Sequence, residues 1–284
     1  MYPKKISMLI AVVVISSSLL FTSCKKEAAK DSDTESAEDY NTAESSFNDV
    51  TTIADQAALT GSVNMRVAGD AANNRADGSL GSACSTVTVD TVSIPHLISV
   101  DFGTANCMCN DGKNRRGKIT LSYIGRYKDA GTAIAVSFNN YFVNNNQLTG
   151  TETITNLGLN NAGNPAYKIE TKGTIKEANG AWTFTWESSR KREWTAGAST
   201  PLVQGDDAYS LTGSSSGVNR EGKAFTLNIS APLVRKMSCN WLESGRVDLT
   251  PEGLAVRTVD FGNGNCDNKA TLTINGNVFT FSMN

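Results

Sequence analysis

The chain has 284 residues, 39% of them apolar, which is enough to bury one large core or two small ones. Its 26 lysines and arginines nearly balance its 28 acids, so the composition excludes a strongly basic protein and predicts no nucleic-acid partner. The only histidine, His96, follows a proline at the start of a strand and is interpreted as a surface or edge residue. With no histidine cluster to bind a metal, we predict neither a metal site nor a cofactor.

The first 24 residues have the pattern of a secretory signal. Two lysines precede an apolar run, 8–15, and small residues come directly before Cys24. Small residues before a cysteine resemble the lipobox of bacterial lipoproteins, and the apolar run is too short to span a bilayer. Residues 1–23 are therefore predicted to be a cleaved signal peptide, with Cys24 lipidated and holding the chain on the outer membrane, facing the periplasm or the cell surface. An ordinary cleaved signal with an incidental cysteine is the alternative.

A tether and a helix are predicted next. Residues 24–36 lack large apolar side chains and are expected to form a disordered tether. From residue 38 to residue 59 the apolar positions, among them Tyr40, Phe47 and Val50, recur every three or four residues, which predicts an amphipathic helix of about five turns. We expect its apolar stripe to pack on the sheet that follows. An amphipathic helix that binds a partner is the alternative.

From about residue 62 the sequence alternates between apolar and polar residues, which is typical of strands. The candidate strands are 62–68, 85–91, 96–102, 117–127, 132–144, 147–157, 165–173, 181–194, 206–214, 222–231, 238–247, 254–261, 268–274 and 277–283. No helix of ten or more residues fits between any two of them, so antiparallel pairing is expected. The predicted fold is mainly β, a large antiparallel meander that is curled or two-layered, with the N-terminal helix packed on it. Residues 37–284 form this helix and β domain.

An internal repeat organises the β region. The motif Val-Asp-Phe-Gly occurs at 100–103 and again at 259–262, and each copy is followed by a cysteine and then by a similar strand. Each copy is also preceded by a cysteine. We therefore predict two related units, about 84–123 and 239–274.

The cysteines of the two units predict a disulfide framework, because disulfides persist outside the cytoplasm. Repeat symmetry pairs Cys84 with Cys107 and Cys239 with Cys266. Cys109 is then left over. It replaces Cys107 as the partner of Cys84 or stays a free thiol.

The aspartates of the repeated motif are interpreted as turn formers. Asp101 and Asp260 each stand two residues before a glycine, and their carboxylates can accept hydrogen bonds from nearby backbone amides. The alternative is that the fold brings the two carboxylates together as the acid and base of a glycan hydrolase.

The segment 182–194 contains the richest candidate site. In an unbroken strand, period two places one set of residues on a common face: Trp182, Phe184, Trp186, Arg190, Arg192 and Trp194. Tryptophans alternating with arginines suit sugar rings or an anionic polymer, so Trp182, Trp186, Arg190, Arg192 and Trp194 are a possible ligand face. The preferred interpretation is that the aromatic residues are core beneath the helix, because a large sheet needs large core side chains.

The basic loop 112–118 also has two interpretations. The preferred one is a solvated loop, and the alternative is that its positive charges contact lipid head groups or acidic glycans.

Several motifs together resemble bacterial lipoproteins of the Bacteroidota type. Besides the lipobox they are Phe47-Asn48-Asp49-Val50, Asp101-Phe102-Gly103, Cys109-Asn110-Asp111-Gly112, Gly117-Lys118, Gly163-Asn164-Pro165, 190–194 and Asp267-Asn268-Lys269-Ala270. The resemblance covers most of the mature chain. It implies an envelope lipoprotein and carries over no catalytic residue.

The sequence thus predicts a membrane-anchored lipoprotein that acts as a non-enzymatic binding or envelope-structural module. The expected partners are the membrane, through Cys24, and a glycan or another envelope polymer. An envelope glycan hydrolase that uses paired carboxylates is the alternative.

Overall fold

The structure of the chain, a computed structural model, describes residues 31, 34–63, 84–126, 128–201 and 203–283. The predicted signal peptide, Cys24 and most of the predicted tether lie outside these residues, and so does most of the candidate strand 62–68. In the described part of the chain, no helix combines the length and the apolarity needed to cross a bilayer.

The first element is the helix α1, Glu35–Val63. It begins three residues before the predicted start and takes in the last two residues of the predicted tether. It also ends four residues later than predicted, so residues 62 and 63, the start of the candidate strand 62–68, are helical instead. Acidic residues in the first turn suit the positive end of the helix dipole, and the Thr34 hydroxyl donates a 3.0 Å hydrogen bond to Glu38 Oε1. These contacts explain why the polar residues before the apolar stripe are helical.

Fourteen strands follow in the described part of the chain, and each candidate strand from residue 85 onward overlaps one of them. They are β1 (Thr86–Asp90), β2 (His96–Asp101), β3 (Cys107–Met108), β4 (Asn114–Tyr123), β5 (Ala133–Val143), β6 (Asn146–Leu159), β7 (Pro165–Glu177), β8 (Thr183–Ala196), β9 (Ala208–Val218), β10 (Ala224–Lys236), β11 (Ser244–Pro251), β12 (Arg257–Asn263), β13 (Lys269–Ile274) and β14 (Asn277–Ser282). The short strand β3 was not predicted. The largest displacement is in β11, which begins six residues later than predicted because residues 237–243 form the turn that carries Cys239.

The strands form one antiparallel sheet, as predicted. Its order is β1-β2-β4 and then β5 to β14 in succession, with β3 paired to β4 on the side. Neighbours in the sheet are therefore neighbours in the chain, which is a meander. The sheet is a single open ribbon, since β1 and β14 are its two edges and do not pair with each other.

The sheet curls around α1. Phe47 contacts Phe138 of β5, Thr51 bonds to Glu152 of β6, and Tyr40 contacts Trp186 of β8. The helix start lies against the turn between β9 and β10. Contacts on every side bury the helix, and among its side chains from 35 to 59 only that of Glu38 is exposed. The predicted single apolar stripe therefore describes only part of the buried helix surface.

The two repeated units have the same strand arrangement. Strands β1, β2 and β4 form one antiparallel trio, and β11, β12 and β13 form the other. The predicted disulfides are confirmed, with Cα–Cα distances of 5.5 Å for Cys84–Cys107 and 5.7 Å for Cys239–Cys266. Cys109 is a buried free thiol.

The ribbon has two rims, formed by the turns at alternate strand ends. The entry rim is made of 102–113, 144–145, 178–182, 219–223, 252–256 and 275–276. The far rim is made of 91–95, 124–132, 160–164, 197–207, 237–243 and 264–268. The helix begins at the entry rim, where Asn219 donates a 3.0 Å hydrogen bond to Ser36 Oγ.

Candidate functional site

The aromatic and arginine residues of β8 lie on one face of the strand, as period two predicts, and this face is turned toward α1. Trp186, Arg190, Arg192 and Trp194 are 1 to 6% exposed. Trp182, just before β8, is half-buried and stacks on Phe184 at 5.7 Å between ring centroids. Most of the possible ligand face is thus an interior surface. Trp186, Arg190 and Arg192 contact α1, whereas Trp194 contacts Asp207 and Tyr209.

The inward arginines of the sheet meet carboxylates of α1. Arg190 pairs with Glu44, and Arg192 Nη2 lies 2.6 Å from Asp55 Oδ2. All four side chains are less than 10% exposed. A buried guanidinium must be paired to be tolerated. The helix carboxylates therefore explain why arginines occupy core positions of β8.

Asp49 of α1 pairs with two cations, Arg115 and Lys113. Its Oδ1 lies 2.5 Å from Arg115 Nη2 and 3.2 Å from Lys113 Nζ. Burial by itself would raise the pKa of Asp49, but the charges and hydrogen bonds of these two cations lower it to about 2. Both cations belong to the predicted basic loop 112–118. In this structure Lys113 and Arg115 therefore neutralise the negative charge of Asp49, and they are not positioned to bind lipid or glycan.

A buried carboxyl group of β6 lies beside these ion pairs. Glu152 is 1% exposed and accepts hydrogen bonds from the hydroxyls of Thr51 (2.8 Å) and Thr171 (3.1 Å). Burial raises the pKa of Glu152 to about 7, against the lowering effect of the two hydroxyls and of Arg192. The adjoining cavity has a volume of only about 10 Å³, which is room for about one water molecule. A substrate cannot reach this carboxyl group in the present arrangement.

The ion pairs of the helix carboxylates with the sheet were not predicted from the sequence. The helix carries six acidic residues and no basic residue: Glu35, Glu38, Asp39, Glu44, Asp49 and Asp55. They do not share one face, so a search for a single polar side of the helix cannot find them. The signal that could have found them is the combination of a purely acidic helix with arginines at core positions of a strand.

The aspartates of the repeated motif are turn formers, as predicted. The carboxylate of Asp101 accepts a 2.9 Å hydrogen bond from Gly103 N, and that of Asp260 accepts one of the same length from Gly262 N. Each is also paired with a cation of its own, Asp101 with Lys118 on β4 and Asp260 with Arg246 on β11. They lie on opposite rims of the ribbon. Each carboxylate therefore has its own local partners and does not form a pair with the other.

The outer face of the sheet carries polar side chains in two rows, one across β6 to β9 and the other across β6 to β10. In the first row Thr153 is opposite Glu170, Glu170 is opposite Ser189, and Ser189 is opposite Ser214. The second row runs in the same way and consists of Thr151, Lys172, Glu187, Ser216 and Thr226. Six of these nine side chains end in a hydroxyl group, which both donates and accepts hydrogen bonds.

These rows line an open groove of about 600 Å³, which we call the hydroxyl groove. This volume is in the range of small-ligand sites. The two carboxylates in the groove are each paired with a lysine at 2.8 Å, Glu170 with Lys168 and Glu187 with Lys172. Both are at least half-exposed, whereas the general acid of a glycosidase sits in an enclosed, apolar environment. The groove can therefore hold a polar ligand by hydrogen bonds, and each of its two carboxylates is paired with a lysine.

The fold and the groove together define a mainly β protein with an open antiparallel sheet, a central helix and an external polar cleft. Comparisons of the chain with protein-family models, with curated proteins and with solved structures find no match. The function proposed below therefore depends on the motifs of the sequence and on the geometry.

Proposed function

We propose that the chain is an outer-membrane lipoprotein, anchored through Cys24, that binds a polyhydroxylated envelope ligand such as a glycan in the hydroxyl groove. The groove is the observation that carries the proposal, because it presents aligned hydroxyl groups from four of the five adjacent strands β6 to β10, all except β7. Sugars bind to such surfaces through many hydrogen bonds, each of modest free energy. The lipobox-like sequence before Cys24 supports the location.

Binding is preferred over glycan cleavage for two reasons. The carboxylates of the groove are paired with lysines, and the buried carboxyl group with a raised pKa, Glu152, lies on the inner side of the sheet. A hydrolase needs two carboxyl groups that both reach the same glycosidic bond.

The groove is tested with the mature chain carrying Cys24→Ser on a panel of purified peptidoglycan fragments and lipopolysaccharide O-chains. We expect one class of glycan to bind without being cleaved. The triple variant Ser189→Ala, Ser214→Ala, Ser216→Ala should weaken binding at least about tenfold, since each lost hydrogen bond costs roughly 1 kcal/mol.

A matched control removes outward serines elsewhere on the sheet. Ser99→Ala on β2 and Ser282→Ala on β14 should leave the affinity unchanged. Binding that survives the groove variant, or hydrolysis of a bound glycan, would contradict the proposal. Anchoring is tested separately by cell fractionation, in which Cys24→Ser should move the chain out of the membrane fraction.

A further inference from the structure

The far rim carries an unusual concentration of exposed apolar side chains. In the part of the chain that the structure describes, twelve large apolar side chains are exposed, and eight lie on or beside the far rim: Val89, Val92, Ile94, Leu97, Ile124, Leu157, Leu159 and Val203. Val92 is 92% exposed, and three larger side chains are also mostly exposed: Ile94 at 80%, Leu159 at 72% and Ile124 at 67%. Scattered exposed apolar residues are ordinary, but a concentration of them marks an interaction surface.

These three residues lie on neighbouring parts of the far rim. We call the surface formed by the turn 91–95, the loop 124–132 and residues 157–164 the far-rim patch. His96 of β2 pairs with Tyr123 of β4, which places the turn carrying Ile94 beside Ile124. The loop 124–132 reaches β6, because Gly131 N donates a 2.7 Å hydrogen bond to the carbonyl oxygen of Asn156. Leu157 and Leu159 are one and three residues after Asn156 in the chain. The patch therefore lies at the far-rim ends of four neighbouring strands, β2, β4, β5 and β6.

The patch carries little net charge. The turns 91–95 and 160–164 contain no charged residue. In the loop 124–132, Arg126 Nε lies 3.1 Å from Asp129 Oδ2, so these two charges neutralise each other, and the exposed Lys128 adds a single positive charge that anionic head groups can accommodate. Protruding aliphatic side chains with amide and hydroxyl neighbours suit the boundary between lipid head groups and acyl chains, where no ionic partner is needed.

The chain enters the sheet at the opposite rim. Asp31 lies 2.7 Å from Arg257 Nη2, at the entry-rim end of β12. Cys24 comes seven residues before Asp31, and an extended chain of that length spans at most about 25 Å. The longest strands, such as β6 with 14 residues, extend about 46 Å from rim to rim. A lipid on Cys24 would therefore hold the entry-rim end and leave the far rim without a membrane contact of its own.

We propose that the far-rim patch docks on a lipid bilayer and inserts Ile94, Ile124 and Leu159 among the lipid head groups. This inference rests on the proposed lipid anchor. The protein then has two membrane contacts, the acyl chains at one end and the aliphatic turns at the other, and it lies along the leaflet instead of standing on its tether.

The test uses the mature chain carrying Cys24→Ser, so that acyl chains play no part. It is sedimented with vesicles of phosphatidylethanolamine and phosphatidylglycerol at about 0.15 M and about 0.5 M salt. We expect it to sediment with the vesicles to a similar extent at both salt concentrations, because apolar insertion is not screened. The triple variant Ile94→Ser, Ile124→Ser, Leu159→Ser should lower the partition coefficient about tenfold or more.

The matched control changes exposed valines on the entry rim. Val256→Ser with Val278→Ser, whose native side chains are 51% and 64% exposed, should bind vesicles as the parent chain does. The proposal is overturned if the parent chain does not bind, if the control loses as much as the far-rim variant, or if salt abolishes binding. These outcomes do not depend on whether Cys24 is lipidated or the groove binds glycan.

An environment-sensitive dye gives a second readout that needs only one substitution. Attached to Ile94→Cys, it should shift its emission to shorter wavelength when vesicles are added, whereas the same dye on Val256→Cys should not. An emission already shifted before vesicles are added would mean that the patch is covered by another segment of the chain or by a second copy. That result would overturn membrane docking.

Discussion

Asp49 illustrates what an ion pair contributes when both partners are buried. Its partner Arg115 is completely buried and also pairs with Asp111, whose Oδ2 lies 2.5 Å from the same Nη2 atom, so removing the Asp49 carboxylate would leave the guanidinium with one of its two counter-charges. Losing one partner of a buried pair costs about 3 to 5 kcal/mol when the other charge is left unpaired, so we expect the retained Asp111 to keep the cost below this range. The exposed pair Lys172–Glu187 has a similar distance, 2.8 Å, yet such surface pairs contribute at most about 1 kcal/mol. The inner pairs therefore fix the position of α1 in the sheet more than the surface pairs fix the strands.

Glu152 provides a prediction about pH. Its ordinary pKa of 4.5 is raised to about 7 in the folded protein because the carboxyl group is buried. A raised folded-state pKa stabilises the protein fully below pH 4.5, and this contribution is lost as the pH rises to 7. We expect Glu152→Gln, which stays neutral, to gain up to about 3 kcal/mol in free energy of unfolding relative to the parent chain above pH 7.

Urea denaturation of the parent chain and Glu152→Gln between pH 4 and pH 8 checks this. The difference between the two should grow with pH. Glu170→Gln, at an exposed carboxylate on the neighbouring strand β7, is the control. It shows how much the same substitution changes the free energy of unfolding at a surface position. A difference that is constant over the whole pH range would show that Glu152 is ionised in the folded protein.

At the level of elements, the contact between α1 and β7 is close enough to test. A Cβ atom at Gly173 would lie 2.5 Å from Phe47 Cζ and 2.9 Å from the carbonyl oxygen of Thr149. Neither atom can move freely, because the ring is in the core and the oxygen belongs to the backbone of β6. We expect Gly173→Ala to lower the free energy of unfolding by about 1 to 3 kcal/mol, as overpacking does.

Thermal or urea unfolding measures this effect. Gly205→Ala is the control, since a Cβ atom there meets nothing within 4 Å. The smaller side chain in Phe47→Leu should restore part of the stability when combined with Gly173→Ala. If Gly173→Ala unfolds like the parent chain, α1 does not approach β7 as closely as described.

The existence of α1 was predictable from the sequence, but its burial on every side was not. The spacing of Tyr40, Phe47 and Val50 was enough to predict a helix, because it depends only on local periodicity. The all-round burial of α1 depends on arginines far along the chain, such as Arg190 and Arg192 on β8. No local pattern contains this information, and the same strand pattern is compatible with an exposed face and with an interior one.

At the level of the whole molecule, the antiparallel meander and the two units were predictable because short turns and a repeated motif specify them. The hydroxyl groove was not predictable from the sequence. Thr151, Ser189 and Ser216 belong to no motif, and they come together only through the register of five strands. Register in such a sheet is set by which face is buried, and this in turn depends on the curl around α1.

The duplication makes a prediction about the stability of the whole molecule. The disulfides Cys84–Cys107 and Cys239–Cys266 close loops with sequence separations of 23 and 27 residues, one in each unit. Loop-closure entropy assigns each about 3 to 4 kcal/mol. We therefore expect the variants Cys84→Ser with Cys107→Ser and Cys239→Ser with Cys266→Ser to lose similar amounts of free energy of unfolding in urea. The variant Cys109→Ser, which leaves both disulfides intact, is the control for removing a thiol. If one pair of substitutions costs several kcal/mol and the other costs nothing, the two units do not contribute equally to the fold despite their common strand arrangement.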